Sequence, residues 1–252
     1  MASIRALKLP LLAAALAMGA PVLADNDKTP PGNPCGSGPG KGTGNPCNGN
    51  NGNAGANGNA GKKGLPFVFD EIAVPGEDRR GVYITQVGAT NRAEASQTGN
   101  NSFARIAQSG DGNQAEIGQD DGNHYAVIAQ DGDENTARVG QEGSGQTVAM
   151  LAQQGRNNVA DISQTETSSL YSAVVASQTG SNNLLNLVQD GSDNQANLTQ
   201  NGDGNAMTAT QLGSGNRLAW TQDGNGLSDL EITQAGGPPM QITQTNNGGG
   251  GS

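Results

Sequence analysis

The chain has 252 residues, of which 33% are hydrophobic and 3% aromatic, and 40 are glycine. Typical globular chains are about 45–50% apolar, so this composition excludes a conventional core of large apolar side chains. The formal net charge of −10 argues against nucleic acid as a partner, because phosphate binding needs clustered Lys and Arg.

Residues 1–24 have the pattern of a secretory signal peptide. Arg5 and Lys8 precede an apolar stretch, and Val22-Leu23-Ala24 offers a cleavage site before Asp25. The stretch is too short to span a hydrocarbon layer of about 30 Å, which disfavours a retained membrane anchor. Cleavage leaves 11 basic and 23 acidic side chains, a net charge of −12. We therefore predict an exported chain.

Residues 25–64 are a low-complexity Gly/Asn/Pro segment, expected to be flexible after export. It contains Cys35 and Cys47, each after Asn-Pro. In an oxidising compartment they either form a disulfide, the reading we favour, or stay free, and without a nearby His they make a poor zinc site. Residues 65–81 are transitional, and the tail 245–252 ends in Gly and Ser that are either native or an added linker.

Glutamine recurs with a fixed period over residues 82–244. Of the fourteen intervals between successive members, ten are eleven residues, and a glycine follows most members by two positions. Such self-similarity is the signature of a solenoid or array. The repeated glutamines are Gln86, Gln97, Gln108, Gln119, Gln130, Gln141, Gln153, Gln164, Gln178, Gln189, Gln200, Gln211, Gln222, Gln234 and Gln244.

A period of two inside each unit predicts a β-strand. Asn113, Ala115, Ile117 and Gln119 lie two residues apart and so share one face of a strand. Turns rich in Gly, Asp, Asn and Ser separate the strands. Right-handed coiled coils also have an eleven-residue period, but the glycines and the alternation exclude a helix. We predict an all-β, cross-β β-solenoid of two facing parallel sheets, with fifteen strands in about seven 22-residue layers, roughly 30–35 Å long.

The repeated amides are predicted to form ladders along the stack. A buried primary amide is costly unless paired, and an identical residue in the next layer supplies the partner. Four positions in the asparagine series carry His124, Gln146, Ser169 and Leu227, and Gln164 lacks its glycine. These irregularities either slow premature assembly or are simply tolerated. The asparagines of the predicted ladder are Asn91, Asn113, Asn135, Asn158, Asn183, Asn194, Asn205 and Asn216.

The segments from Gln108 to Gln119, Gln130 to Gln141 and Gln189 to Gln200 resemble the curlin repeat of bacterial curli fibres, Ser-x5-Gln-x-Gly-x-x-Asn-x-Ala-x3-Gln. The resemblance covers about two-thirds of the chain. It implies secretion through an outer-membrane pore, a nucleator partner, and an extracellular amyloid for biofilm matrix and adhesion. It also implies that residues 25–64 address the subunit to the pore, although the cysteines depart from that family's pattern. The regular ladder favours a major subunit over a minor nucleator.

Motifs for other chemistry are weak. Asp131, Asp133, Asn135 and Glu142 imitate a calcium loop, but Thr136 stands where that loop needs glycine. His124 is the sole histidine and belongs to a repeat position. We therefore predict no catalytic residue, metal site or cofactor, and we assign Trp220 to the core.

Two functions remain for a repetitive exported chain. The first is a self-assembling fibre subunit that grows through unpaired strand edges, although Pro238 and Pro239 are positioned to blunt one end. The alternative is a monomeric β-solenoid that binds glycan, ice or calcium. Outward threonines in rows would favour ice binding, and the sequence suggests that they are too scattered: Thr85, Thr199, Thr210 and Thr221.

Overall fold

The computed structural model describes residues 67–75, 80–99 and 101–246. The predicted signal peptide, the segment 25–64 with Cys35 and Cys47, and residues 247–252 lie outside the described residues. All fifteen regular elements in the described part are strands. They are β1 (Gly81–Val87), β2 (Arg92–Gln97), β3 (Phe103–Ser109), β4 (Gln114–Asp120), β5 (Asn123–Asp133), β6 (Thr136–Glu142), β7 (Gln146–Arg156), β8 (Val159–Thr165), β9 (Tyr171–Ser181), β10 (Leu184–Ser192), β11 (Gln195–Asn201), β12 (Ala206–Ser214), β13 (Arg217–Asp223), β14 (Ile232–Gln234) and β15 (Met240–Thr245).

The strands form two parallel sheets by alternation. The odd-numbered strands make an eight-stranded sheet in the order β1-β3-β5-β7-β9-β11-β13-β15, and the even-numbered strands make a seven-stranded sheet from β2 to β14. Each strand therefore pairs with the strand two before it and the strand two after it. The predicted fold class, an all-β solenoid of about seven layers with a 22-residue step, is confirmed.

Small apolar side chains fill the space between the sheets. In β5, for example, Ala126 and Ile128 are fully buried between the two sheets. Trp220 is also fully buried in this core, as predicted. Charged residues lie on the outer face of the seven-stranded sheet, where Arg138 contacts Glu116 at 3.1 Å and Asp161 at 3.9 Å. On the seven-stranded sheet, the strict alternation thus separates an inner apolar and amide layer from an outer charged one.

The motif glycine is required where turns of successive layers touch. Gly132 has a φ of +128°, and a Cβ added to it would lie 2.0 Å from the carbonyl oxygen of Gly155 in the next layer. Real Cβ atoms do not approach so closely, so the strand spacing depends on the missing side chain. The layer-to-layer stacking of backbone explains why Gly follows the repeated Gln.

Residues 67–75, which the sequence marks only as transitional, pack as an irregular strap on the outer face of the eight-stranded sheet. Phe69 and Ile72 are each 8% exposed and form a small apolar cluster with Val148 and Ala173. The amide N–H of Ile72 donates to Oε1 of Gln195 at 2.8 Å. We call residues 67–75 the strap. It buries an outer row that would otherwise face solvent.

No helix within the described ranges is long and apolar enough to cross a membrane.

Candidate assembly site

The repeated glutamines stand in two columns, one at the carboxyl end of each sheet. Gln130 Nε2 donates to Oε1 of Gln153 at 2.8 Å, and Gln153 Nε2 donates to Oε1 of Gln178 at 2.8 Å. The same bond links every successive pair in both columns, at 2.6 to 3.0 Å. Every amide therefore points its donor toward the C-terminal end and its acceptor toward the N-terminal end.

From Gln108 onward, the second N–H of each repeated glutamine ties the two sheets together. Gln108 Nε2 donates to the carbonyl oxygen of Arg92 at 3.0 Å, and Gln130 Nε2 donates to that of Gln114 at 3.0 Å. In both cases the acceptor begins a strand of the opposite sheet. From Gln108 to Gln234 these side chains are at most 3% exposed, so their full hydrogen bonding removes the cost of burying an amide.

An asparagine column follows the glutamines of the eight-stranded sheet. Asn113 Oδ1 accepts the backbone N–H of Asn135 at 3.0 Å, and Asn113 Nδ2 donates to the carbonyl oxygen of Gly132 at 2.7 Å. Each asparagine therefore holds both the next asparagine and the next motif glycine. The column contains Asn91, Asn113, Asn135, Asn158, Asn183 and Asn205 and ends at Leu227, whose N–H bonds to Asn205.

The second column follows the glutamines of the seven-stranded sheet and contains several residue types besides asparagine. The sequence-based assignment of two of its members is wrong. Its register is Ser102, His124, Thr147, Ser172, Asn194 and Asn216. Thr147 and Ser172, and not Gln146 and Ser169, occupy these positions. The extra residues of the longer intervals lie in the turns before the strands. Counting five residues forward from Gln141 or Gln164 therefore ends inside or just after the turn, before the residue that occupies the column.

His124 is the one ionisable side chain in this column. Its Nε2 lies 3.0 Å from the carbonyl oxygen of Asp120, and its Nδ1 lies 2.9 Å from Oγ1 of Thr147. A neutral ring satisfies both contacts by donating from Nε2 and accepting at Nδ1. Desolvation by burial lowers the pKa of His124, although backbone contacts and the charges of Asp120 and Asp121 oppose the shift. Both ring nitrogens are engaged, which fits a structural role.

Glu166 replaces the missing glycine after Gln164 and is fully buried. Its Oε1 accepts the N–H and the hydroxyl of Ser168 at 2.8 and 2.6 Å. Its Oε2 accepts the hydroxyl of Ser172 and the N–H of Asp193, each at 3.0 Å. The carboxylate therefore organises the three-residue insertion, a role that the sequence did not reveal.

The aspartates of the turns are engaged with backbone N–H groups. Asp133 Oδ1, in the segment that imitates a calcium loop, accepts the N–H of Asp111 at 3.0 Å. Asp203 Oδ1 accepts the N–H of Ser181 at 2.7 Å. No group of three or more His, Cys, Asp or Glu in the part of the chain described is arranged to hold a metal ion.

Both ends of the stack present open strands. At the N-terminal end, Gln86 and Gln97 donate to the next layer, while no group among the described residues donates to their Oε1 atoms. Val82 and Ile84, on the inner face of β1, are 43% and 45% exposed. At the other end, Gln244 Nε2 donates to the carbonyl oxygen of Ser228 at 3.1 Å and meets no further layer among the described residues. Gln234 Nε2 donates to the carbonyl oxygens of Arg217 at 3.2 Å and Pro238 at 3.4 Å.

The C-terminal end is the less regular one. β14 comprises three residues, and Pro238 and Pro239 precede β15 and are not part of it. Where β14 stops short, the carboxylate of Asp229 accepts the N–H of Thr208 at 2.9 Å. A side chain thus substitutes for strand backbone over part of this edge.

The outward threonines are more ordered than the sequence suggested. Thr199, Thr221 and Thr243 lie in register on β11, β13 and β15. The row ends there, because the same position holds Ser177 in β9 and alanine in β7, β5 and β3.

A family model described as the curlin associated repeat matches the chain three times, at residues 81–110, 110–143 and 191–224. These matches fall on strands of the two sheets, and the intervening layers continue the same register. Neither the curated proteins nor the solved structures contain a match to the chain.

Proposed function

Since the chain belongs to the curlin family, we propose that it is a secreted structural subunit that assembles end to end into extracellular amyloid fibres. The single observation that carries the proposal is the complementarity of the two ends. At the C-terminal end, Gln244 Nε2 uses one N–H on the carbonyl oxygen of Ser228 and keeps the other for a further layer. At the N-terminal end, no described group donates to Oε1 of Gln86 or Gln97. Because every glutamine amide in the ladder donates toward the C-terminal end, a second copy can extend the ladder only head to tail, with its N-terminal end on that C-terminal end.

Growth adds strands to strands. The exposed edges carry unpaired backbone N–H and C=O groups, which bond to another edge strand. Docking also buries Val82 and Ile84, and apolar burial contributes about 25 cal/mol per Å² removed from water. Continued amide ladders add the stabilisation typical of cross-β stacks. The driving forces that hold the layers within one chain thus act again between chains.

The route to the cell surface is also part of the proposal. Residues 1–24 act as a signal peptide, and residues 25–64 address the subunit to an outer-membrane pore. A nucleator subunit starts the fibre, and this chain, with its regular ladders, is the major component that contributes to biofilm matrix and adhesion. The acidic balance of 23 Asp and Glu against 13 Lys and Arg supports solubility in transit.

A structural role is favoured over a catalytic or a monomeric binding role. The sole histidine is buried with both ring nitrogens bonded, and the row of in-register threonines covers three layers only. Within the described residues, this row is too short to serve as an extended ice-binding face.

The test uses the mature chain, released from denaturant and followed by electron microscopy and fibre diffraction. We expect unbranched fibres with a meridional reflection near 4.8 Å, the spacing of stacked strands. A protein that stays monomeric at all concentrations would contradict the proposal. Saturable glycan, ice or calcium binding by that monomer would support the alternative.

Matched variants locate the growing edge. Val82→Asp with Ile84→Asp places charges on the inner face of β1, and we expect elongation to stop. Thr85→Asp with Val87→Asp places the same charges on the outer face of the same strand and should leave growth intact. Continued elongation of the Val82→Asp, Ile84→Asp variant would show that growth does not use this end. Loss of elongation in both variants would show that the effect is not specific to the inner face.

A further inference from the structure

The number of strands is odd, and this constrains how two copies can stack end to end. The described residues supply eight strands to one sheet and seven to the other, in agreement with the fifteen glutamine units of the sequence. Both β1 and β15 belong to the eight-stranded sheet, while β2 and β14 are the edges of the other. One chain therefore begins and ends on the same side of the stack.

A second copy in the same orientation fits this stack poorly. It would place its β1 on β15, so that its eight-stranded sheet continues the first. In the other sheet, β14 of the first copy and β2 of the second copy would then be one strand too far apart. The gap between them would be wider than a normal strand spacing by roughly 4.8 Å. The backbone groups of the two facing edges would be left without partners, which is costly in a buried layer.

A second copy turned by half a rotation about the stack axis removes this gap. Its β1 then lies on β14 and its β2 lies on β15, so both sheets continue without interruption. Gln244 Nε2, which has one N–H bonded to Ser228, then meets the bare Oε1 of Gln97 of the next copy. Gln86 of that copy lies over Gln234, whose Nε2 bonds to the carbonyl oxygens of Arg217 and Pro238 in the single chain. The exposed Ile84 of that copy lies over Ile232. The half-turn works because both sheets are built from the same eleven-residue motif.

Resting on the proposed function, we infer that successive copies of this chain alternate by a half-turn along the fibre. The eight-stranded sheet of one copy continues into the seven-stranded sheet of the next, and the structural repeat of the fibre contains two subunits. This is a head-to-tail contact, which propagates without closing. The strap, which lies on the eight-stranded sheet, then appears on alternating sides of the fibre.

Disulfide trapping distinguishes the two junctions. With Cys35→Ser and Cys47→Ser as the background, the half-turn places Ser96→Cys beside Thr243→Cys, whereas the unrotated junction places Thr85→Cys beside Thr243→Cys. All three side chains are exposed and outward, and neighbouring strands lie within the Cα separation that a disulfide allows. β2 and β15 are at opposite ends of one chain, so any bond joins two copies.

We expect oxidised fibres of the Ser96→Cys, Thr243→Cys variant to dissolve into disulfide-linked multimers, and the Thr85→Cys, Thr243→Cys variant to give none. The reverse result, linkage in both variants, or linkage in neither would overturn the inference while leaving a fibre-forming subunit. Absence of fibres from every variant and from the parent would overturn the proposed function and the inference together.

Deleting one unit gives an independent readout. Removal of residues 97–107 joins Ser96 to Gln108 and leaves an even number of strands, so electron cryomicroscopy should show the strap on one side of the fibre. Removal of residues 97–118 joins Ser96 to Gln119 and keeps the number odd, so the strap should alternate as in the parent. A strap on the same side in all three proteins would overturn the inference.

Discussion

Gln130 and Gln153 are hydrogen-bonded, Nε2 to Oε1 at 2.8 Å, although they are 23 residues apart where the regular step is 22. The added residue lies in a turn, so the ladder is kept while the loop absorbs the difference. Ladder continuity therefore sets the register, and turn length adjusts to it. This relation makes the glutamine amides the natural target for the first prediction.

Gln130→Glu should destabilise the chain strongly. The carboxylate loses both N–H donors and lies against Oε1 of Gln153 and the carbonyl oxygen of Gln114. Only Gln108 Nε2 would still donate to this side chain, and a buried charge with so few partners should cost more than about 3 kcal/mol of unfolding free energy. Denaturant unfolding of dilute monomer measures the loss. Gln154→Glu, at an exposed position of β7, is the control, and equal losses would contradict the ladder's role.

Gly132→Ala should separate steric from conformational effects at the turn. Its Cβ would lie 2.0 Å from the carbonyl oxygen of Gly155, whereas Gly204 also has a positive φ, +67°, with no atom near a Cβ. We expect Gly204→Ala to cost about 1 kcal/mol of unfolding free energy from backbone conformation alone, and Gly132→Ala to cost several times more. Comparable thermal midpoints would contradict the stacking requirement.

The sequence predicted the fold because its dominant signal is local and repeated. Alternation in Asn113, Ala115, Ile117 and Gln119 specifies a face, and a constant step specifies which strands pair. Where the step varies, sequence alone does not say on which side of a strand the extra residues lie. That is why counting puts Gln146 and Ser169 at positions that Thr147 and Ser172 occupy.

The strap and the Glu166 site could not be predicted because neither has a period. Phe69 and Ile72 belong to a short apolar segment whose partner face, with Val148 and Ala173, lies far away in the chain. In the sequence, Glu166 is only a break in the glycine pattern. The four groups that donate to its carboxylate come together only when the insertion folds. Non-repeated contacts of this kind depend on tertiary structure.

Stability should fall below neutral pH because of His124. Burial lowers its pKa in the folded state, so as pH falls through about 6.5, the unfolded chain takes up a proton first. The stabilisation is complete above that pH and is lost as pH falls toward the folded-state pKa. Unfolding free energies of monomer at pH 7.5 and pH 5 measure the effect.

His124→Asn is the matched variant for this pH dependence. Asparagine occupies the same column at Asn194 and Asn216, so the ladder is retained without an ionisable group. We expect the variant to lose less stability between pH 7.5 and pH 5 than the parent. The same loss in both proteins would assign the pH dependence to the carboxylates.

Removing the anchor of the strap should release it without unfolding the stack. Ile72 is buried, packs in the cluster with Val148 and Ala173, and donates its N–H to Gln195. Ile72→Ala removes apolar contacts from a segment held by few others, and such truncations cost about 2–5 kcal/mol when the site cannot collapse. The strap opens locally, because its packing is separate from the layers between the sheets.

Hydrogen exchange at the residue 72 amide measures this opening. We expect faster exchange there in Ile72→Ala, with unchanged protection of the amides in β7 and β9. Val68→Ala is the control, because Val68 is 76% exposed and its truncation should leave exchange as in the parent. Loss of protection throughout the stack would show instead that the strap is part of the cooperative core, since both sheets would then depend on its contacts.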